Sequence, residues 1–382
     1  MASLALVEAT LLTALAPLLP YYSHEYGLST FEVGVLSAAY AAGMFAGSLP
    51  WAWLASRIGV RRAALGAATI WFLASVGFAL SDDTVALYLF RLAQGLGGCG
   101  VFVAGFAWLI SSMLGDSRGR LIGAGMAASV FGTITGPAVG ALGTAIGPRA
   151  VFAGMAVVTL ALLVWIYATP SNVRGARRQT TGVVARLTTA SLAMASWLVA
   201  VPAVMIGAVA VLAPLRLDEL GWGGGAIGAL LVGGASLEAL LTYLLGGFSD
   251  RFGRAWTIHL GLVLCMVAAV LLSLLPASAL LLSVVLVFAF MTAGFLWPPT
   301  IAHVSEQAEL AGVDQAFGFA LTNLSYAGGF VCGASGGAQL SESVGESVPF
   351  LVVAVLFAVS LVIARRVVPG VRRTALEPLN LS

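Results

Sequence analysis

The sequence predicts an all-α integral membrane protein of twelve transmembrane helices, arranged as two pseudo-symmetric six-helix bundles. Three observations carry this. Hydrophobic residues make up 60% of the 382 and charged residues only 9%, with a mean hydropathy of +1.02, far outside the composition of water-soluble domains. Apolar runs of about 20 residues, the length that crosses a bilayer, recur along the whole chain. Motifs of the first half also reappear in the second at a nearly constant spacing.

The first span, α1, is placed near 2–22; no basic stretch precedes it and no small-residue cleavage signal follows, so it reads as a retained span and not a signal peptide. Spans α2 (31–55) and α3 (63–81) flank the basic turn at Arg57, Arg61 and Arg62. Next come α4 (85–110), interrupted by Arg91, α5 (121–145), rich in glycine, and α6 (150–168). A polar stretch carrying Arg174, Arg177, Arg178 and Arg186 then separates the halves. The second half reads α7 (188–213), α8 (224–248), α9 (256–275), α10 (279–301), α11 (315–340) and α12 (349–368). Trp297-Pro298-Pro299 should distort α10, because proline removes a hydrogen bond of the helical ladder. The expected divisions are a bundle over 1–168, a linker over 169–187, a bundle over 188–368 and a tail over 369–382.

All 18 basic residues are arginine. Under this assignment fifteen of them share one side: Arg57, Arg61, Arg62, Arg118, Arg120, Arg174, Arg177, Arg178, Arg186, Arg251, Arg254, Arg365, Arg366, Arg372 and Arg373. Only Arg149 and Arg216 fall opposite. Arginine is retained on the cytoplasmic face, so both termini are expected in the cytoplasm and the chain in the cell membrane. The net charge of +2 then reflects topology and does not imply nucleic acid.

Sliding the second half over the first places Arg251-Phe252-Gly253 on Arg57-Ile58-Gly59 at an offset of 194. Gly329, Gly333 and Gly337 fall on Gly132, Gly136 and Gly140 at 197, and Gly345 and Phe350 fall on Gly147 and Phe152 at 198. An internal duplication of six helices is the expected cause, although glycine-rich helices also produce chance matches.

Several familiar chemistries fail on context. Gly95-Leu96-Gly97-Gly98-Cys99-Gly100 fits a dinucleotide fingerprint, and Gly333-Ala334-Ser335-Gly336-Gly337 fits a nucleophile elbow, but both lie inside spans with no preceding strand. Cys99, Cys265 and Cys332 are isolated, and His24, His259 and His303 are scattered, so neither a disulfide framework nor a metal site is expected. A chain without lysine cannot hold a phosphate-binding Walker loop. The expectation is a protein that is not an enzyme and carries no cofactor.

Two turns carry the strongest motif. The second reads Gly246-Gly247-Phe248-Ser249-Asp250-Arg251-Phe252-Gly253-Arg254; the first reads Ala52-Trp53-Leu54-Ala55-Ser56-Arg57-Ile58-Gly59-Val60-Arg61-Arg62. One reading makes them membrane anchors around a tight turn. Together, however, they resemble the signature loops of the major facilitator superfamily, in which twelve spans form two halves. That resemblance implies that Arg57, Gly59, Arg61, Gly246, Asp250, Arg251, Gly253 and Arg254 form ionic latches that hold one conformation. The first copy departs from the pattern at Ala52, Ser56 and Val60, which leaves its latch in question.

Arg91, Gln94 and Gly95 lie on one face of α4, with Arg91 about 10 Å in from the helix end at 1.5 Å per residue. A charge at that depth costs roughly 2.5–3.5 kcal/mol on insertion scales, so the side chain either faces the bundle interior or snorkels to the interface. The spacing resembles the superfamily motif associated with proton coupling. Candidate counter-charges are Glu8 in α1 and Glu238 in α8, with Glu32 at the mouth of α2. Drug/proton antiporters of the family often carry an acid in α1, which favours Glu8; the alternative is that Glu8, close to Met1, simply reaches water. Burial disfavours the charge of a carboxyl and a nearby arginine favours it, so such a group can exchange a proton as its surroundings change. Trp71, Trp108, Trp197, Phe295, Trp297 and Tyr326 either line a substrate cavity or belong to packing and interface belts.

In α5, Gly123, Gly132, Gly136 and Gly140 mark a face that admits close helix approach, and Pro137 favours a bend there. The spacing resembles the superfamily's antiporter motif, with Ala141 in place of its last glycine. Because Ala334 stands in α11 where Pro137 stands in α5, the bend is expected in the first half alone. The reading is a secondary transporter working by alternating access, exchanging protons for a small hydrophobic or amphipathic compound, with α5 as hinge and half-to-half contact. Its expected partners are a small-molecule substrate, protons and the lipid bilayer, with no nucleic acid and the chain acting as a monomer. The alternatives are uptake or facilitated diffusion of a metabolite by the same fold and, more distantly, a non-transporting receptor or assembly subunit.

Overall fold

The structure is a computed structural model that describes residues 2–111, 118–169, 189–245, 253–275, 277–312 and 315–367. Eleven helices among those residues are long and apolar enough to cross a membrane: α1 Ala2–Tyr26, α2 Thr30–Ile58, α3 Val60–Leu80, α4 Thr84–Ser111, α5 Arg118–Ile146, α6 Pro148–Ala168, α7 Ala190–Glu219, α8 Gly224–Leu245, α9 Arg254–Ser273, α10 Ala279–Leu310 and α12 Val348–Val367; a three-part α11 between the last two brings the helices to the expected twelve. The parts of α11 are Gln315–Val331, the π-helical Cys332–Gly336 and Gly337–Ser343. The expected linker over 169–187 and tail over 369–382 lie almost wholly outside the described residues, as do Gly246, Asp250 and Arg251.

In lipid every backbone polar group must be satisfied within the segment, which leaves the helix as the only open-chain solution. The outer surface agrees: Leu73, Leu80, Val85, Val164, Leu240, Val284 and Val355 are exposed large apolar side chains, a coat that water would not tolerate. Two helices overrun their expected ends. The seventh continues to Glu219, and α10 continues through Pro298 and Pro299 to Leu310 without stopping. At the start of α2, Ser29 and Glu32 form a reciprocal capping box, which uses the acid at that mouth as a helix cap.

The termini of the described chain lie on one side of the bundle, here the terminal side; the other is the far side. One core cluster is built on Leu36, Trp71 and Phe152 and reaches into the second half at Val211, Phe330 and Ala334; another, built on Ile258, Leu286 and Phe357, lies within the second half. Glycine ladders then bring backbones together within each half. A Cβ at Gly132, Gly136 or Gly140 would strike the carbonyl of Leu6, Thr10 or Ala14 in α1. In the second half, Gly329 and Gly333 meet the carbonyls of Ala200 and Val204 in α7 in the same way, and Gly337 packs on Ala208. The α1 and α7 partners are 194 residues apart and the glycines 197, so the duplication repeats contact by contact. This refines one expectation: the glycines of α5 pack on α1 of their own half, and the half-to-half contact of α5 is made by Pro137 and Ala141. Gly123 lies within α5, near its terminal-side end.

The halves meet through the neighbouring face. Gly228 of α8 packs against the carbonyl of Pro137 and the methyl of Ala141, and Gly34 of α2 packs against the carbonyl of Ala334 and the methyl of Ala338. These two contacts obey the same offsets, 194 for the glycines and 197 for their partners. Here a second expectation is corrected. The helical ladder of α11 is also interrupted at the register of Pro137, by the π segment Cys332–Gly336. A π turn widens the hydrogen-bond spacing and needs no proline to do so.

Candidate functional site

The site begins at a break in α1. Its α-helical ladder ends with Ala14 donating to Thr10, and a 3₁₀ turn at Ala16–Leu18, containing Pro17, carries the chain into the next segment. The carbonyls that follow, of Leu11 and Leu12, accept from Arg91 Nη2 at 2.9 and 3.1 Å. Arg91 Nη1 donates to Gln94 Oε1 at 3.0 Å, and Gln94 Nε2 reaches Ser75 Oγ of α3 at 3.3 Å. Tyr40 of α2 lays its ring 4.7 Å from the guanidinium carbon. Arg91, Gln94 and Ser75 are all fully buried. Three charge-assisted hydrogen bonds at about 1.5–3 kcal/mol each and a desolvated cation–π contact of about 2 kcal/mol offset the several kcal/mol lost on dehydrating the guanidinium.

Arg91 therefore faces the interior, as its depth suggested, but its compensation differs from the expected one. Neither Glu8 nor Glu238 forms an ion pair with it among the described residues. Backbone carbonyls exposed by a helix break take up Nη2 instead, while the buried Nε has no hydrogen-bond partner among the described residues. Glu8 is only 5% exposed, against the reading that it reaches water, and its Oε1 has no hydrogen-bond partner. It lies beside Tyr40, whose hydroxyl donates to the Glu8 carbonyl at 3.4 Å, and both converge with Trp71 on Gly98 of α4.

The second half answers from α8, α10 and α11. Glu238 Oε1 accepts from Trp297 Nε1 at 2.9 Å. The Trp297 ring lies 5.7 Å from that of Tyr326. One turn earlier on α11, Asn323 Nδ2 donates to Ser48 Oγ of α2 at 3.1 Å and approaches Cys99 Sγ of α4 at 3.6 Å. Each half thus contributes one carboxyl at mid-depth, Glu8 beside Tyr40 and Glu238 against Trp297. Glu238, Trp297, Tyr326 and Asn323 are each partly exposed.

Of the other aromatic candidates, Trp71, Trp108 and Phe295 are buried, and Trp197 bonds Ser360 on α12, away from the axis. Sequence reasoning missed Tyr40, Ser48, Ser75 and Asn323. The signal that was present is a polar side chain in mid-span, which in lipid acts as interhelical glue.

The described parts of the signature turns act within their own halves. Gly59 and Gly253 take φ of +92° and +89°, a region that favours glycine, and each opens the next helix. Arg61 donates to the carbonyls of Thr169 and Tyr167 at the end of α6, where a cation suits the helix dipole. Arg57 covers the Trp53 ring, and Arg254 pairs with Glu306 of α10. On the far side His24 pairs with Asp218 across the halves at 2.8 Å, Phe31 N donates to Glu342 at 2.7 Å, Arg149 pairs with Asp82, and Arg216 with Glu219.

The model of the Major Facilitator Superfamily matches residues 1–207 and again residues 188–380. Among curated relatives, the uncharacterized MFS-type transporter YcaD of Escherichia coli O139:H28 is 25% identical over 349 residues, which cover 90% of this chain and 88% of that protein. Its counterpart from Salmonella enteritidis PT4 is 24% identical over the same shares. Among solved structures, a bacterial homolog of the human lysosomal transporter Spinster, in an inward-facing and unoccupied conformation, superposes with a TM-score of 0.77 at 14% identity, covering 96% of this chain and 95% of that one. A D-xylose-proton symporter superposes with a TM-score of 0.75 at 16% identity, covering 96% of each chain. At those identities the likeness is one of fold.

Proposed function

The chain belongs to the Major Facilitator Superfamily and is a multi-pass membrane transporter, and we propose that it exports a small hydrophobic or amphipathic compound in exchange for protons. The observation that carries the reading is Glu8. A carboxyl oxygen with no partner, 5% exposed and deep in a membrane bundle, is costly as an anion. The far-side-closed arrangement therefore suits the carboxylic acid, and a state that admits water suits the carboxylate. Arg91 has a positioning part: by holding the Leu11 and Leu12 carbonyls it fixes the break in α1 just above Glu8.

The arginine bias supports assigning the terminal side to the cytoplasm of a bacterial inner membrane. Contacts between the halves run from His24–Asp218 and Phe31–Glu342 on the far side to Asn323–Ser48 at mid-depth, which supports a state closed outward and open to the cytoplasm. In the exchange we infer, α5 at Pro137 and α11 at Cys332–Gly336 are the paired flexing points, and Gly34 and Gly228 are the surfaces that part when the far side opens.

Reconstitution into proteoliposomes with an imposed pH gradient tests the coupling. Export predicts compound movement against the direction of proton flow that stops when the gradient is collapsed. Flux indifferent to the gradient refutes exchange, and accumulation on the same side as the incoming protons supports uptake instead.

A further inference from the structure

We infer that the far end of the second half holds a binding site for a small primary ammonium ion with a short aliphatic tail, separate from the mid-depth residues. A cavity of about 60 Å³ lies there among the ends of α7, α9, α10 and α12. Its inner wall is hydrocarbon, formed by the buried Leu272, Leu282, Leu286 and Phe350. Its rim is charged, with Arg216 and Glu219 from the last turn of α7 and Glu346 from the turn before α12. Thr30, the first residue of α2, joins the lining from the other half, so the cavity is complete only while the far side is closed. The site rests on that closed arrangement and not on proton exchange.

Charge and size decide what fits there. Arg216 Nη1 lies 2.8 Å from Glu219 Oε2 and 3.6 Å from Glu346 Oε2. One guanidinium set against two carboxylates leaves the rim with one net negative charge, and Arg149, the other far-side arginine, is taken up by Asp82 in the first half. The rim therefore repels an anion and draws in a cation. A buried donor beneath it does not change this: Arg216 Nε has no hydrogen-bond partner among the described residues, but it is closed to water and so to an acceptor on a ligand. An apolar wall behind an acidic rim complements an ammonium head on a hydrocarbon tail. Volume limits the tail, because a benzene ring needs a cavity of about 150 Å³; this one takes a chain of a few carbons.

The probe is n-butylammonium, with 1-butanol as its neutral counterpart and butyrate as its anionic one, each titrated by saturation-transfer NMR into the full chain in phosphatidylcholine nanodiscs against empty nanodiscs. Wild type should bind the ammonium at least about fivefold more tightly than the alcohol, the ratio that one solvent-facing ion pair supplies, and butyrate more weakly than either. Glu219→Gln and Glu346→Gln should each reduce that preference, and the double variant should abolish it. Leu286→Trp, which fills the apolar wall, should weaken all three ligands, whereas Glu238→Gln at mid-depth should leave the preference intact. Equal binding of ammonium and alcohol by wild type, or a preference that survives in the double variant, overturns the site. Loss of the preference in Glu238→Gln overturns it as well, by placing the ammonium at mid-depth. Binding is read without flux, so a failure of proton exchange in proteoliposomes leaves the site standing.

Discussion

Replacing Gly34 with alanine probes the far-side closure at one atom. The added Cβ would lie 2.5 Å from the Ala338 methyl and 2.6 Å from the Ala334 carbonyl oxygen, where unstrained contact needs about 3.5–4.0 Å. Helices α2 and α11 must then part by about 1 Å, or the closed state must carry the strain. Overpacking of this kind costs about 1–3 kcal/mol, which shifts the equilibrium toward the far-side-open state by roughly 5- to 150-fold. Spin labels at Ala150 and Ala277, exposed far-side residues of opposite halves, would report the change by double electron–electron resonance, with the exposed Cys332 replaced. The longer distance should gain population in Gly34→Ala. Its symmetry mate Gly228→Ala should act alike, and Gly233→Ala, where nothing lies within 4 Å of the new methyl, should leave the distances unchanged. An unaltered distribution in a folded Gly34→Ala protein would refute the assignment of this contact to the gate.

Two further predictions concern the helix interruptions and the buried charge. Replacing Pro137 with leucine should depress flux while leaving membrane insertion intact, measured as transport per folded protein; full flux would remove α5 as a flexing point. Replacing Arg91 with lysine should destabilise the protein by about 2–4 kcal/mol, seen as a fall in melting temperature in detergent, because an ammonium cannot reach Gln94 and two carbonyls in the planar geometry of the guanidinium. An unchanged melting temperature would show that those bonds contribute little.

Much of the fold was legible because lipid enforces simple rules. Span length, arginine side and glycine spacing all follow from the cost of exposing polar groups to hydrocarbon, and each can be read from residue type alone. Even the duplication was visible, since Gly132 and Gly329 must be glycine for α1 and α7 to approach. What stayed hidden depends on backbone geometry. A carboxylate was the expected partner of Arg91, but the partners are carbonyls of Leu11 and Leu12, which every residue type possesses. The π segment in α11 contains no proline to announce it, so comparing Pro137 with Ala334 gave no sign that α11 is interrupted as well. Asn323 was readable as a lone amide in mid-span, but its partners Ser48 and Cys99 came only with the packing of α2 and α4 against α11.

Proton coupling through Glu8 can be tested without knowing the cargo, by following the Ala150–Ala277 spin-label distance as pH is raised. His24, which pairs with Asp218 across the gate, is replaced by glutamine so that it does not contribute. Coupling predicts that the far-side-closed population falls with rising pH, as Glu8 loses its proton and can no longer remain buried without a partner, and that Glu8→Gln abolishes this response. A distance distribution that ignores pH, or one that responds equally in Glu8→Gln, would contradict the assignment and, in the second case, move it to Glu238.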